Sequence, residues 1–180
     1  MRSRPTLGYV PSERVTLKSG RTVLIRPIGP DDGPGLTAAY DRLSPESKYR
    51  RFLAPKPHLN MSETRYLVHI DGRDHVALVA TRVDDPDYIL AVARFVRSDD
   101  DPAQAEFAVV VGDPYQQEGL ATALMERLRI VASERGITSF KATMLAENVA
   151  AHHLVRGFAT GATTERHLGT VNEIEVDLTA

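Results

Sequence analysis

Apolar and polar residues alternate along several stretches of the chain, and these stretches predict β-strands. Residues 15–26 (VTLKSGRTVLIR) carry β-forming residues on both sides of Ser19-Gly20, which predicts a hairpin. Later runs are separated by aspartate-rich turns, a pattern typical of an antiparallel meander. The predicted strands are residues 75–82, 88–97, 105–111 and 138–145, followed by a closing hairpin at residues 166–178.

Capping residues indicate where short helices begin ahead of these strands. Asp31 or Asp32 can cap the first helix. Ser44 caps the second, and Pro45 takes its first helical position. The third begins near Ser62. The first third of the chain is therefore expected to be largely helical after the hairpin.

The segment after Gly119 is the most strongly periodic in the chain. Its apolar side chains fall on one stripe of a helix that ends near Gly136. That stripe consists of Leu120, Leu124, Leu128 and Val131. A shorter helix is predicted at residues 148–156. The order of elements is helices, a meander, a β-α-β unit and a hairpin, which predicts a mixed α/β (α+β) layer fold.

No repeat, low-complexity tract or linker divides the chain, and 180 residues are enough for one domain with a sizeable core. We expect a flexible tail at residues 1–12 and a single domain at residues 13–180. The N-terminus has arginines but no apolar stretch, so no signal peptide is expected. The longest apolar run, residues 107–111, is far shorter than the roughly 20 residues that span a bilayer. These features predict a cytoplasmic protein without membrane contact.

Composition and charge exclude several classes of function. The net charge is −2, so the chain has no surplus of cations for binding nucleic acid. It contains no cysteine, which excludes disulfides, thiolate metal sites and a cysteine nucleophile. The same absence fits a reducing compartment.

An apolar strand, a short turn, Gly119 and an amphipathic helix follow one another directly in AEFAVVVGDPYQQEGLATALMERL. The first N–H groups of a helix lack intrahelical partners and lie at the positive end of its dipole, so this junction suits a pyrophosphate. Gly119 would let the backbone approach the phosphates closely. The plainer alternative is an ordinary strand-to-helix turn. The segment lacks the spacing of a P-loop or of a dinucleotide fold.

The run Gln116-Gln117-Glu118-Gly119-Leu120-Ala121 resembles the Q/R-x-x-G-x-G/A signature of GNAT acetyltransferases. Asn148, followed by Gly157-Phe158, is similar to a later Asn…Gly-Phe segment of that family. The segments SGRTVLIRPIGPDDG, RLSPESKYRRF, HVALVA, ARF and AEFAVVV resemble the GNAT domains of bacterial protein-lysine acetyltransferases that modify acyl-CoA synthetases. The resemblance covers roughly residues 15–178.

The resemblance implies the GNAT fold, with a mixed and mostly antiparallel central sheet flanked by helices. It implies acetyl-CoA as co-substrate, no metal, and a protein partner with an acceptor lysine, for which an acyl-CoA synthetase is one candidate. A homodimer is also compatible with it. The pantetheine arm would pair with the valine strand, one valine N–H would polarise the thioester, and loop N–H groups would hold the pyrophosphate. The implied cofactor-binding residues are Val109, Val110, Val111, Gln116, Gln117, Glu118, Gly119, Leu120, Ala121, Thr122 and Asn148.

Two positions depart from the family pattern. The residue before the glycine is often basic in the family and here is Glu118, which is unfavourable beside a pyrophosphate unless it points to solvent. Gly157 lies only nine positions after Asn148, so the last helix is shorter than is usual in the family.

Acyl transfer to an amine needs a base, because a lysine amine with a pKa of about 10.4 is protonated at neutral pH. Glu106 matches the glutamate proposed as general base in the lysine-acetyltransferase relatives. Strand periodicity puts it on one face with Ala108 and Val110, opposite Phe107 and Val109. The alternative is a strand-end residue facing solvent.

The general acid has two possible positions in the shortened helix. Counting forward from Asn148 gives Val155, which cannot donate a proton, whereas counting back from Gly157-Phe158 gives His153, which can. His152 and His153 are adjacent on a helix and so do not face one metal site. The remaining histidines are interpreted as surface residues.

Two hypotheses follow from these residues. The first is an enzyme that transfers an acetyl or acyl group to an amine by direct attack, with Glu106 as base. The second is a non-catalytic acyl-CoA sensor or partner module with a degenerate site, which Glu118 and the shortened helix favour.

Overall fold

The computed structural model describes residues 10–179, so most of the tail predicted at residues 1–12 lies outside the described residues. The strands are β1 (Glu13–Thr16), β2 (Thr22–Pro27), β3 (His75–Arg82), β4 (Ile89–Arg97), β5 (Gln104–Val111), β6 (Ser139–Leu145), β7 (Thr163–Leu168) and β8 (Val171–Asp177). The helices are α1 (Gly33–Asp41), α2 (Pro45–Phe52), α3 (Met61–Val68), α4 (Leu120–Glu134) and α5 (Val149–Phe158).

The strands form one sheet in the order β1-β2-β3-β4-β5-β6-β8-β7. Every neighbouring pair is antiparallel except β5 and β6, which are parallel because α4 carries the chain across between them. The predicted mixed, mostly antiparallel sheet with flanking helices is therefore confirmed.

Helices cover both faces of the sheet. The larger core lies under α4 and α5, and the whole stripe predicted for α4 is buried in it. The smaller core lies under α1 and α3. Alternate side chains of β5 pack into the two cores, as the strand period predicts. Phe107 and Val109 pack on the α4 side, and Val110 packs on the α1 side.

The helix starts agree with the predictions, and one predicted capping bond, that of Asp32, is not made. Ser44 caps α2 by accepting a hydrogen bond from the Ser47 N–H at 3.1 Å. Asp32 occupies the N-cap of α1 but makes no capping bond, because its carboxylate pairs with Arg26 at 2.7 Å instead. The third helix begins at Met61, next to the predicted start at Ser62, and Asn60 caps it.

Within residues 10–179, none of the helices combines the length and the apolar character needed to cross a bilayer.

Candidate active site

A cleft opens where β5 and β6 separate. Residues 104–106 of β5 pair with residues 139–141 of β6, and the pairing stops there. Beyond that point β6 stays paired with β8, and β5 stays paired with β4 as far as Val111. The β6-facing edge of residues 107–111 therefore has no partner strand among the described residues. Such an edge can accept an extended ligand as an added strand.

The direction of the backbone groups shows which valines face the cleft. Gly112 N–H donates to Leu90 C=O at 2.8 Å, so the even-numbered residues of β5 bond with β4. The N–H and C=O of Val110 are thus used inside the sheet, whereas those of Val109 and Val111 point towards the cleft. This corrects the expectation that all three valines offer backbone groups to a cofactor.

The loop before α4 presents a row of free backbone donors. The N–H of Glu118 closes the turn over Gln116 and Gln117. No acceptor within residues 10–179 bonds the N–H groups of the other five residues in the range 117–122, among them Gln117, Gly119 and Thr122. Two left-handed residues shape the loop, Gln117 at φ 64° and Gly119 at φ 85°. A helix alone leaves its first four N–H groups unpaired, so this loop extends the anion-binding end of α4.

Side-chain contacts hold the loop in place beside the cleft. Gln116 Nε2 donates to Val111 C=O at 3.2 Å, which ties the loop to the end of β5. The carboxylate of Asp113 accepts hydrogen bonds from the Ser44 N–H and from the hydroxyls of Ser44 and Ser47 at 2.8–2.9 Å. Burial raises the pKa of Asp113, but these bonds outweigh it and hold the pKa below its ordinary value. Gln116 and Asp113 thus position the loop.

Glu118 is turned away from the free N–H groups. Its carboxylate accepts hydrogen bonds from Arg21 Nε at 2.9 Å and from Ser19 Oγ at 3.2 Å, both in the β1–β2 turn. The Arg21 contact lowers the pKa of Glu118, so the carboxylate is ionised and paired at neutral pH. Lys18 also lies beside the loop, since a Cβ added at Gly119 would be 3.9 Å from its Cγ. The repulsion expected from Glu118 is therefore offset by Arg21, which the sequence pattern did not single out.

Glu106 lies at the last paired position of β5, where the cleft begins. Its side chain is exposed and makes no hydrogen bond or ion pair within the described residues. It lines a cavity of about 570 Å³ between the sheet and the segment from α2 to α3, together with Arg51, Tyr66 and Arg94. The two arginines were not recognised from the sequence, because they come from separate elements that only the fold brings together.

His153, the position counted back from Gly157-Phe158, lies on the exposed side of α5, and its role as general acid stays a prediction. The inner face of α5 is formed by apolar residues, among them the buried Val155 and Phe158. His153 is exposed, because two residues along a helix turn a side chain about 200° away from Val155. Val155, the position counted forward from Asn148, is therefore the one on the inner face of α5, and its side chain cannot donate a proton.

Two other polar residues of the α5 region are used locally. Asn148 caps α5 by accepting a hydrogen bond from the Ala151 N–H at 3.2 Å, and its role toward a cofactor stays a prediction. His152 turns towards β7, with Nδ1 3.6 Å from a carboxylate oxygen of Glu165. His152 and His153 point to different sides of the helix. In the part of the chain that the structure describes, no cluster of three or more potential metal ligands is found.

Comparisons with known proteins agree with this geometry. The family model "Acetyltransferase (GNAT) family" matches residues 38–158. Acetyltransferase Pat of Mycolicibacterium smegmatis is 35% identical over 138 residues, which are 76% of this chain and 40% of that protein. Acetyltransferase PA5475 of Pseudomonas aeruginosa is 31% identical over 140 residues, covering 77% of this chain and 75% of that protein. The chain thus spans less than half the length of the first relative and three quarters of the second.

The solved structures include a neighbour of nearly the same extent. The crystal structure of the GNAT domain of S. lividans PAT superposes with a TM-score of 0.82 at 32% identity, and covers 92% of this chain and 96% of that one. The family match, the shared fold and the loop before α4 lead to one assignment. The chain belongs to the GNAT family, whose members are acyl-CoA-dependent acetyltransferases.

Proposed function

We propose that this protein moves an acetyl group from acetyl-CoA to the ε-amine of a lysine on another protein, with Glu106 as general base. The observation that carries the proposal is the set of five unbonded N–H groups within residues 117–122, next to the unpaired edge of β5. The likeness to acetyltransferase Pat supports a protein lysine as acceptor. An acyl-CoA synthetase is one candidate partner. The proposed location is the cytoplasm, with which the absence of cysteine is compatible.

Acetyl-CoA would bind to both the loop before α4 and the open edge of β5. The pyrophosphate accepts hydrogen bonds from the free N–H groups within residues 117–122, and the dipole of α4 favours its negative charge. The pantetheine arm runs along the open edge, where its amides pair with the backbone of Val109 and Val111. With acetyl-CoA bound in this way, its thioester would lie near the start of the cleft, beside β5, the strand that carries Glu106.

The chemical step is direct attack. Glu106 takes a proton from the lysine ammonium, directly or through water, and the free amine adds to the thioester carbonyl carbon. An N–H of Val109 or Val111 donates to the carbonyl oxygen as negative charge develops on it. The C–S bond then breaks and the CoA thiolate leaves with the bonding electron pair. The positively charged nitrogen gives up its second proton to water, which leaves the neutral amide.

The described part of α5 supplies no acid for the leaving thiolate. Val155 faces the core and His153 faces solvent, so water is the proton source in this scheme. A thiolate is a tolerable leaving group, and its protonation by water slows the reaction without preventing it. The same observation favours the second candidate function, an acyl-CoA sensor that binds but does not transfer.

One experiment separates the two functions. The purified protein is mixed with acetyl-CoA and a lysine-containing peptide, and free thiol is followed over time. Because the chain contains no cysteine, every thiol detected comes from CoA. The enzyme should release CoA in proportion to acetyl found on the peptide by mass spectrometry. Binding of acetyl-CoA without acceptor-dependent release would favour the sensor.

A further inference from the structure

The cavity beside Glu106 contains two guanidinium groups with unused donors. Arg94 is 7% exposed and lies on β4, diagonal to Glu106 across the β4–β5 pair and on the same face of the sheet. Its Nη1 contacts Leu67 C=O at 3.2 Å and His75 Nε2 at 3.1 Å. Its other two nitrogens, Nε and Nη2, have no hydrogen-bond partner within residues 10–179.

The second guanidinium belongs to Arg51, which is on α2 and lines the same cavity. Its guanidinium carbon lies 4.7 Å from the centre of the Phe52 ring. Among the described residues it makes neither a hydrogen bond nor an ion pair. Glu106 acts on Arg51 through its charge, but the two do not approach within 4.0 Å.

The cavity therefore carries an excess of positive charge. Glu63, another carboxylate of its lining, is already paired with Lys56. Burial, with a contribution from the charge of Arg51, lowers the pKa of Arg94 to about 10. Buried charges are normally paired, because an unpaired one is costly. Two guanidiniums with free donors, one of them buried, indicate that a ligand supplies the missing anion.

We propose that Arg51 and Arg94 form an anion-binding subsite of the acceptor cavity, which takes a carboxylate carried by the acceptor near its reacting amine. The inference rests on the proposed function, since it names the acceptor class of that same site. A guanidinium presents paired donors that match a carboxylate. Glu106 would contact the acceptor's amine while the two arginines bind its carboxylate. The acceptor would therefore carry a positive and a negative charge close together. The carboxylate comes either from an acidic residue beside the target lysine or from a small amino acid.

Matched acceptors test the proposal. One pair is a capped peptide with glutamate next to its lysine and the same peptide with glutamine there. The other pair is Nα-acetyl-lysine and its uncharged amide. We expect the charged member of at least one pair to have kcat/KM about tenfold higher, through a lower KM. The pair that shows the preference identifies the source of the carboxylate.

Variants of Arg51 test whether this residue causes the preference for the charged acceptor. Arg51→Gln should abolish it, and Arg51→Lys should keep part of it, since the charge remains without the paired donors. Arg50→Gln is the matched control, because Arg50 is the neighbouring residue and pairs with Glu46 at 2.6 Å outside the cavity. It should leave the preference intact. Melting temperatures confirm that the variants are folded.

A binding measurement keeps the test independent of turnover. The same acceptor pairs are titrated into the CoA-bound protein and its Arg51→Gln variant by calorimetry. Tighter binding of the charged member, lost in the variant, supports the subsite even if no acetyl is transferred, an outcome that would defeat only the proposed function. Equal affinity within both pairs, or an equal loss in Arg50→Gln, overturns the subsite.

Discussion

Arg21 Nε donates a hydrogen bond of 2.9 Å to Glu118 Oε2 and so joins the β1–β2 turn to the loop before α4. The contact neutralises the one carboxylate in that loop. Removing Arg21 alone should therefore weaken CoA binding, because Glu118 is then unpaired beside the phosphates. For Arg21→Gln we expect a Kd for CoA about two- to tenfold higher at low salt, and added salt should reduce the effect.

The reverse change tests the same pair. Glu118→Gln leaves Arg21 free to face the phosphates and should tighten CoA by about two- to fivefold at low salt. The double variant should fall close to the natural protein, since it removes both charges together. Unchanged CoA affinity in both single variants at low salt would show that the pair does not act on the phosphates.

Gly119→Ala should weaken CoA binding because alanine disfavours the backbone conformation of this residue. Nothing lies closer than 3.9 Å to the added Cβ, so the change is governed by the φ of +85° that only glycine adopts readily. The strain costs about 1–2 kcal/mol, and its relief rotates the loop N–H groups away from the phosphates. We expect the Kd for CoA to rise about tenfold or more.

Gly169→Ala is the control for that prediction. Gly169 has a φ of +73° in the turn between β7 and β8, with nothing within 4 Å of an added Cβ. It should show a similar loss of thermal stability with unchanged CoA affinity. Parallel losses of CoA affinity in both variants would mean that general destabilisation, and not the loop, is responsible.

The buried histidine His75 should make stability depend on pH. Burial lowers its pKa to about 4, and the charge of Arg94 contributes, whereas in the unfolded chain the value is 6.5. Between these values the unfolded state binds a proton that the folded state does not, so stability falls as pH drops from 6.5 to about 4. The contribution is on the order of 2–3 kcal/mol.

His75→Gln removes the titration and keeps an acceptor for Arg94. Urea unfolding at several pH values should show a much flatter profile for this variant between pH 6.5 and 4.5. Equal slopes in the two proteins would show that His75 does not titrate differently on folding.

His153 should contribute little to catalysis. Its side chain is on the outer face of α5, so His153→Ala is expected to keep kcat within about twofold at saturating acetyl-CoA, where a lost general acid costs about a hundredfold or more. His152→Ala is the neighbouring comparison. A large loss specific to His153→Ala would mean that α5 rotates when acetyl-CoA binds.

Local signals in the sequence were sufficient for much of the fold. The stripe of α4, the hairpin around Gly20 and the junction at Gly119 depend on residues close together in the chain, and each prediction agrees with the structure. The order of these elements, together with the motif resemblance, was enough for the sheet type. The loop before α4 could be predicted as a candidate site because the strand, Gly119 and the helix that form it are adjacent in the sequence.

The remaining features depend on contacts between distant residues. Arg21 and Glu118 are 97 positions apart, and nothing near either residue indicates the pair. The same holds for Arg51 and Arg94, which line one cavity only because α2 packs against β5, the neighbour of β4. The histidine His75 was interpreted as a surface residue, yet it is 9% exposed, because β3 is central in the sheet. The facing of α5 was left open, since two motif anchors gave different registers and only packing decides between them.

The most direct test of the proposed activity is acetyl-CoA turnover by Glu106→Gln, followed by thiol release with a lysine acceptor. The substitution keeps the shape of the side chain and removes the proton acceptor, so kcat should fall about 10²–10⁴-fold while acetyl-CoA affinity stays the same. The loss should shrink as pH rises and more of the amine is already free. Glu126→Gln, an exposed position on α4, should behave like the natural protein. A Glu106→Gln variant with near-normal turnover at neutral pH would contradict the account.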